Sequence, residues 1–212
     1  MSRSDTHIHR VCTPDEALDL MAAQNEIWVS DCICRTGSTG CSHDRANVCI
    51  EFVPTRDQDK FHTRRLDLAE AREIVEYARS ERLVLRPCTG VDDNAISGIC
   101  TCCDCCCTFS HFDHHTCEKG RMIEQTIAEY CAGCAQCVDV CRFEARRVIG
   151  QEIVINRANC YGCGLCAEAC PVEGVRMILR TGAGEESAVI RRTPAPSVLN
   201  QPGVAKSYRP PV

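Results

Sequence analysis

Two runs of cysteine, Cys131, Cys134, Cys137, Cys141 and then Cys160, Cys163, Cys166, Cys170, repeat one spacing, C-x2-C-x2-C-x3-C, and begin 29 residues apart. Three cysteines separated by two residues lie on a tight loop whose successive N–H groups face the same way as the sulfurs, a concavity suited to an anion. Gly133, Gly162 and Gly164 fall inside these loops, where a missing Cβ permits positive φ and close approach of the backbone. Zinc accepts C-x2-C pairs, yet it does not require a third and fourth cysteine at these intervals twice over. Thiolate ligation of [4Fe-4S] clusters does require them.

After the third cysteine of each copy the sequence predicts a short helix, Val138 to Arg142 and Ala167 to Cys170. Pro171 ends the second, because proline cannot continue a helix. Arg142 stands in the equivalent place of the first copy; its cation is expected to raise the reduction potential of the cluster that Cys141 serves. Runs rich in β-branched residues, 122–127, 147–149, 151–155 and 175–179, predict strands around these loops. Together they suggest two hairpin-plus-helix halves related by a pseudo-twofold axis.

The segment 118–181, with its eight spaced cysteines and Pro171, resembles the bacterial two-cluster [4Fe-4S] ferredoxin family. The resemblance implies electron transfer and two [4Fe-4S] clusters with crossed ligands. Cys131, Cys134, Cys137 and Cys170 would hold one cluster, and Cys160, Cys163, Cys166 and Cys141 the other.

The chain carries 21 cysteines in 212 residues, several times the usual share, so a disulfide framework must be weighed. The stretch from Met1 to Arg10 is polar and lacks the apolar centre of a secretory leader. No apolar run approaches the ~18 residues of a membrane span. A reducing, cytoplasmic setting is expected, where dense cysteine signals metal or redox chemistry.

Thirteen cysteines lie outside the repeat, most of them in two bursts: Cys32, Cys34, Cys41 and Cys49, then Cys100, Cys102, Cys103, Cys105, Cys106 and Cys107, with Cys88 preceding the second. A helix is signalled by Thr13, Pro14 and Glu16, and another by Asp67 and Glu70, each pair spaced as a capping box. Strands are expected at 27–29 and 83–85. Residues 1–117 therefore read as a small Cys-rich α+β domain that brings the bursts together, 118–181 as the ferredoxin-like module, and the proline-rich 182–212 as an extended or disordered tail. The fold class is α+β. The first burst supplies enough thiolates for a further cubane or a zinc ion, and the second exceeds what one tetrahedral ion needs. One or two further Fe–S clusters are expected there, with zinc or thiol redox chemistry as the alternatives; the ligand grouping stays open. Adjacent cysteines such as Cys102 and Cys103 point to opposite sides of an extended chain, so neighbours are expected to serve different metals. The order of CxCR, a dense cysteine run and a dicluster module over Ser30 to Val175 is similar to a group of prokaryotic proteins classed only as 4Fe-4S binding.

His111, His114 and His115 read as a solvated linker rather than a metal site, His7 and His9 as surface residues, and Cys12 and Cys117 as buried thiols apart from the bursts. Formal charge is −7 up to Cys117 and +2 after it. Arg142, Arg146, Arg147, Arg157 and Arg176 either dock an acidic partner or offset the charge of the clusters. An acidic chain without a basic stripe argues against nucleic-acid binding. No flavin, nicotinamide or nucleotide motif is present. The leading expectation is an electron carrier or relay subunit serving redox partner proteins, such as a multi-subunit oxidoreductase. The alternatives are an oxidoreductase with a catalytic cluster or redox-active thiols in its N-terminal domain, and a zinc-stabilised interaction module fused to a ferredoxin.

Overall fold

The computed structural model describes residues 9–53, 58–89, 95–107, 117–181 and 187–191. In the N-terminal region the elements run β1 (His9–Arg10), α1 (Pro14–Ala22), β2 (Ile27–Asp31), α2 (Ile33–Thr36), β3 (Asn47–Glu51), β4 (Arg64–Leu66), α3 (Leu68–Ser80), β5 (Val84–Thr89), β6 (Ile96–Cys102) and β7 (Cys117–Glu118). The seven strands form one sheet in the order β4-β2-β3-β6-β5-β1-β7. Both expected capping boxes are present: Thr13 with Glu16 starts α1, and Asp67 with Glu70 starts α3. These boxes satisfy N–H groups that the first helical turn leaves without partners.

Strand alternation divides this sheet chemically. Val29, Val48, Ile50, Leu85 and Ile99 join Ala17 and Met21 of α1 and Ala71, Ile74 and Val75 of α3 in the main core. The residues between them present thiols and an arginine. Ile50 pairs with Ile99, Arg86 with Cys100, Val84 with Cys102 and Cys88 with Gly98. Cys49, Cys88, Cys100, Cys102 and Arg86 therefore share the opposite face. Two bursts far apart in sequence meet because β3, β6 and β5 are neighbours in the sheet.

The second region contains β8 (Met122–Thr126), α4 (Gln136–Asp139), β9 (Arg146–Ile149), β10 (Glu152–Ile155), α5 (Leu165–Glu168), β11 (Val175–Leu179) and β12 (Ala188–Arg191). Among the described residues β9 and β10 pair as a local hairpin, and β8 pairs with β11, so the strands before the first cysteine run and after the second close on each other. The backbone repeats at the 29-residue interval: positive φ occurs at Gly133 and Gly162, at Ala135 and Gly164, and at Glu144 and Glu173. The helices begin two residues earlier than the sequence suggests. Ala135 and Gly164 occupy the left-handed N-cap positions, which turns the chain into a helix before, not after, Cys137 and Cys166.

Part of the segment read as a tail is a strand. β12 pairs with β10, and its Ile190 is buried with Ile153, Ile155 and Val175. Ile190 is the residue that turns inward there, while Val189 stays exposed. The remainder, 182–186 and 192–212, lies outside the described residues, as do His7, His111, His114 and His115. His9 departs from the surface role expected of it: it is buried in β1, where it pairs with Cys88 of β5 and Cys117 of β7.

Candidate metal centres

The eight cysteines of the repeat line two pockets of similar size. One, of about 380 Å³, is bordered by Cys131, Cys134, Cys137 and Cys170. The other, of about 340 Å³, is bordered by Cys141, Cys160, Cys163 and Cys166. Each pocket draws three thiols from one run and the fourth from the other. The cause is local: α4 and α5 contact each other, and the chain leaving each helix delivers Cys141 or Cys170 to the opposite side. Gly162 has a positive φ and sits so close to β8 that an added Cβ would lie 2.1 Å from the carbonyl oxygen of Met122.

The donor sets fit an iron–sulfur group. Burial, with Cys141 and Cys160 as like charges, pushes the Cys163 thiol up to about 12, against the N–H of Leu165, so such thiols ionise only beside compensating positive charge. Nitrogen donors also reach the sulfurs. The amide of Gly174 donates to Cys170 Sγ at 3.1 Å, and Arg146 Nη1 donates to Cys137 Sγ at 3.2 Å.

Arg146 borders both pockets and is 3 % exposed. Its Nη2 donates to Glu124 and, at 2.7 Å, to Thr126 Oγ1, while Arg157 Nε donates to Glu124 Oε1 at 2.8 Å. Burial works against the Arg146 cation, but Cys166, Glu124 and Cys137 outweigh it and raise its pKa above the ordinary arginine value. Arg142 has an ion-pair partner of its own. It pairs with Asp104 of the N-terminal region. Arg147 pairs with Glu144. Several of the arginines thus have partners within the chain.

On the cysteine face of the large sheet, Cys32, Cys34, Cys49, Cys88, Cys100, Cys102 and Cys107 line a pocket of about 960 Å³, which Cys103 also borders. Thiol contacts link Cys32 to Cys49, Cys49 to Cys100, Cys100 to Cys88 and Cys102, and Cys102 to Cys107. Two buried arginines flank these thiols. Arg35 donates to the carbonyl oxygens of Arg45 and Thr101 at 2.5 and 3.2 Å, tying the two bursts together. Arg86 places Nη1 4.0 Å from Cys102 Sγ. Despite burial, Tyr77, Cys32 and Cys103 hold the Arg35 pKa up, and Cys102, Cys117 and Cys107 do the same for Arg86. Arg35 was visible in sequence only as the fourth letter of CxCR, and Arg86 gave no signal, because its role depends on pairing with Cys100 across the sheet.

Cys41, Cys103, Cys105 and Cys106 form a separate group, with all four Sγ atoms within 4.8 Å of one another. The bursts are therefore regrouped: Cys41 leaves the first to join three members of the second. Cys117 does not stand apart, since it borders a small pocket with Arg86, Cys102, Cys103 and Phe143. Cys12, buried just before α1 and bridged to Leu85 of β5, is close enough to Cys163 to feel its charge; burial, Glu16 and Cys163 together push its thiol up. Phe143 stacks on Tyr161 with ring centroids 4.4 Å apart, which joins this junction to the rim of the second module pocket.

Among the described residues no helix is long and apolar enough to cross a membrane. The family model of the 4Fe-4S dicluster domain matches residues 122–174. That span contains all eight repeated cysteines and stops well short of the N-terminal bursts. No curated protein and no solved structure matches the chain.

Proposed function

We propose that this chain is an electron-transfer protein with two [4Fe-4S] clusters in a pseudo-twofold module, a further Fe–S cluster on the cysteine face of the large sheet, and a role as relay subunit or partner of a cytoplasmic redox enzyme. An iron–sulfur module stands on the family match. The observation that carries the finer reading is the division of eight cysteines into two sets of four, each with a member from the other run. When bound, such clusters exchange single electrons.

The chain's own residues then have defined tasks. Cys131, Cys134, Cys137 and Cys170 hold one cluster, and Cys141, Cys160, Cys163 and Cys166 the other. Arg146 supplies a fixed cation between them, with Glu124 holding its guanidinium in place. Ile153, Val175 and Ile190 cover the first site, and Phe143, Tyr161 and Leu165 the second; such apolar cover keeps water from the sulfurs, which tunes the potential. Upstream, Arg35 and Arg86 offset the negative charge that several thiolates bring to one pocket.

Anaerobic iron and sulfide quantification with an EPR-monitored redox titration tests this. About twelve irons per chain are expected, four for each cubane; about eight would remove the upstream cluster. Replacing Cys170 with Ala should abolish or convert the signal of the cluster on Cys131, Cys134 and Cys137. Loss of the Cys160 cluster's signal instead would overturn the crossed pairing. A second reading, a catalytic cluster in the N-terminal pocket, is favoured by that pocket's having more thiols than one cubane uses. Turnover of a small-molecule substrate lost on Cys100→Ala but retained on Cys170→Ala would select it.

A further inference from the structure

Among the described residues, Cys41, Cys103, Cys105 and Cys106 are the one set of four thiols whose sulfurs all lie within 4.8 Å of one another. Cys103 Sγ lies 3.3 Å from Cys106 Sγ, and Cys105 Sγ lies 3.7 Å from Cys41 Sγ. Four thiolates around one zinc at ~2.3 Å stand about 3.8 Å apart at the corners of a tetrahedron. A cubane interposes irons and sulfides between its thiolates and holds them much farther apart, so this group has no room for one. Cys103 and Cys106 supply a C-x2-C turn directly after β6, Cys105 lies inside that turn, and Cys41 arrives from the loop after α2.

The surroundings complete a ligand site. Ser42 Oγ donates to Cys105 Sγ at 3.5 Å. His43, beside that loop, is held by Glu81 at 3.0 Å and comes within 4.8 Å of Asp104 and Cys105. Asp104, the spacer of the turn, pairs across the junction with Arg142, the residue after Cys141. A metal here would fix both the loop and the turn, and with them the contact to the ferredoxin-like module.

We propose that Cys41, Cys103, Cys105 and Cys106 bind one zinc ion in a closed tetrathiolate site that clamps the end of β6 to the loop after α2 and presents Asp104 to Arg142. Zinc has no redox chemistry and tolerates tetrahedral sulfur, so the clamp keeps its charge and shape while neighbouring sites change oxidation state. Tetrahedral sulfur sites also take single iron, and the test separates the two. The assignment does not rest on the electron-transfer reading.

The full chain, expressed with zinc and iron supplied and purified anaerobically, should contain one zinc per chain in addition to its iron. X-ray absorption at the zinc edge should give four sulfurs at about 2.3 Å. Cys41→Ala and Cys106→Ala should each lose zinc to a chelator at least tenfold faster than the unaltered chain without losing four irons, whereas Cys49→Ala should keep it. Nitrogen or oxygen in the zinc shell, high-spin mononuclear iron in place of zinc, an absence of zinc, or retention of zinc in both variants overturns the proposal. If the variants do not fold, the absorption spectrum of the unaltered chain decides alone. A chain with tetrathiolate zinc but no iron would sink the electron-transfer reading and leave this one standing.

Discussion

The two cysteine-rich regions gather thiols by opposite means. The module uses tight loops in which left-handed residues, Gly133, Ala135, Gly162 and Gly164, aim neighbouring cysteines at one point. The N-terminal region uses a sheet, whose alternation sends Cys49, Cys100 and Cys102 to one face while Val48, Ile50 and Ile99 hold the other. Their cores differ accordingly. The sheet and its helices centre on one large apolar core, which Val140, Tyr161 and Leu165 of the module also join, whereas the rest of the module's apolar packing is two small clusters, around Ile153, Ile155 and Val175 and around Ile123 and Ala145. A loop-built site leans on what it binds, and a sheet-built site stands on its own packing.

The largest test of that contrast is removal of iron. An iron-selective chelator should expose the amides of β8 to β11 to rapid hydrogen exchange while those of β3, β5 and β6 stay protected. Concerted opening of both regions would erase the distinction. Next comes Glu124→Leu, which takes from the buried Arg146 and the part-buried Arg157 their shared carboxylate and should destabilise the module by about 3–5 kcal/mol, read as a lower thermal midpoint under anaerobic conditions. A cost below about 1 kcal/mol would mean that the module is less dependent on buried charge than its small cores imply. Thr13→Ala removes the α1 cap and should cost about 1 kcal/mol, seen in denaturant melts of the N-terminal sheet with no change in iron content. The smallest effect belongs to Arg142→Ala. Its pair with Asp104 is part-exposed, so about 0–1 kcal/mol is expected, with a coupling to Asp104→Ala that shrinks as salt is raised. A larger, salt-independent loss would make the two regions one cooperative unit.

Legibility in the sequence follows the same division. The module's pockets draw on ligands within forty positions of one another, so their spacing is visible in the chain itself. The capping boxes of α1 and α3 are equally local, and both are where the residues indicate. The grouping of the upstream cysteines depends on which strands become neighbours, and β3 lies beside β6 rather than β4; no local pattern encodes that. Cys117, Arg86 and His9 escaped for the same reason, since each acquires its surroundings from strands distant in sequence. The early start of α4 and α5 is different in kind. It turns on one left-handed residue before each helix, and alanine at 135 gives no hint of that conformation.

The junction between the regions is built from backbone. β1 and β7 run side by side, the N–H of Val11 reaches the carbonyl of Glu118 at 3.0 Å, and that of Gly120 reaches Tyr161 at 2.9 Å. A Cβ on Gly120 would lie 2.3 Å from the carbonyl oxygen of Val11, so nothing larger than hydrogen fits in the seam. Such a joint is a weld, not a hinge. With the proposed clusters in place, this seam would hold the two thiol regions at one separation, and control of electron flow would fall to docking at the surface and to charge at the sites.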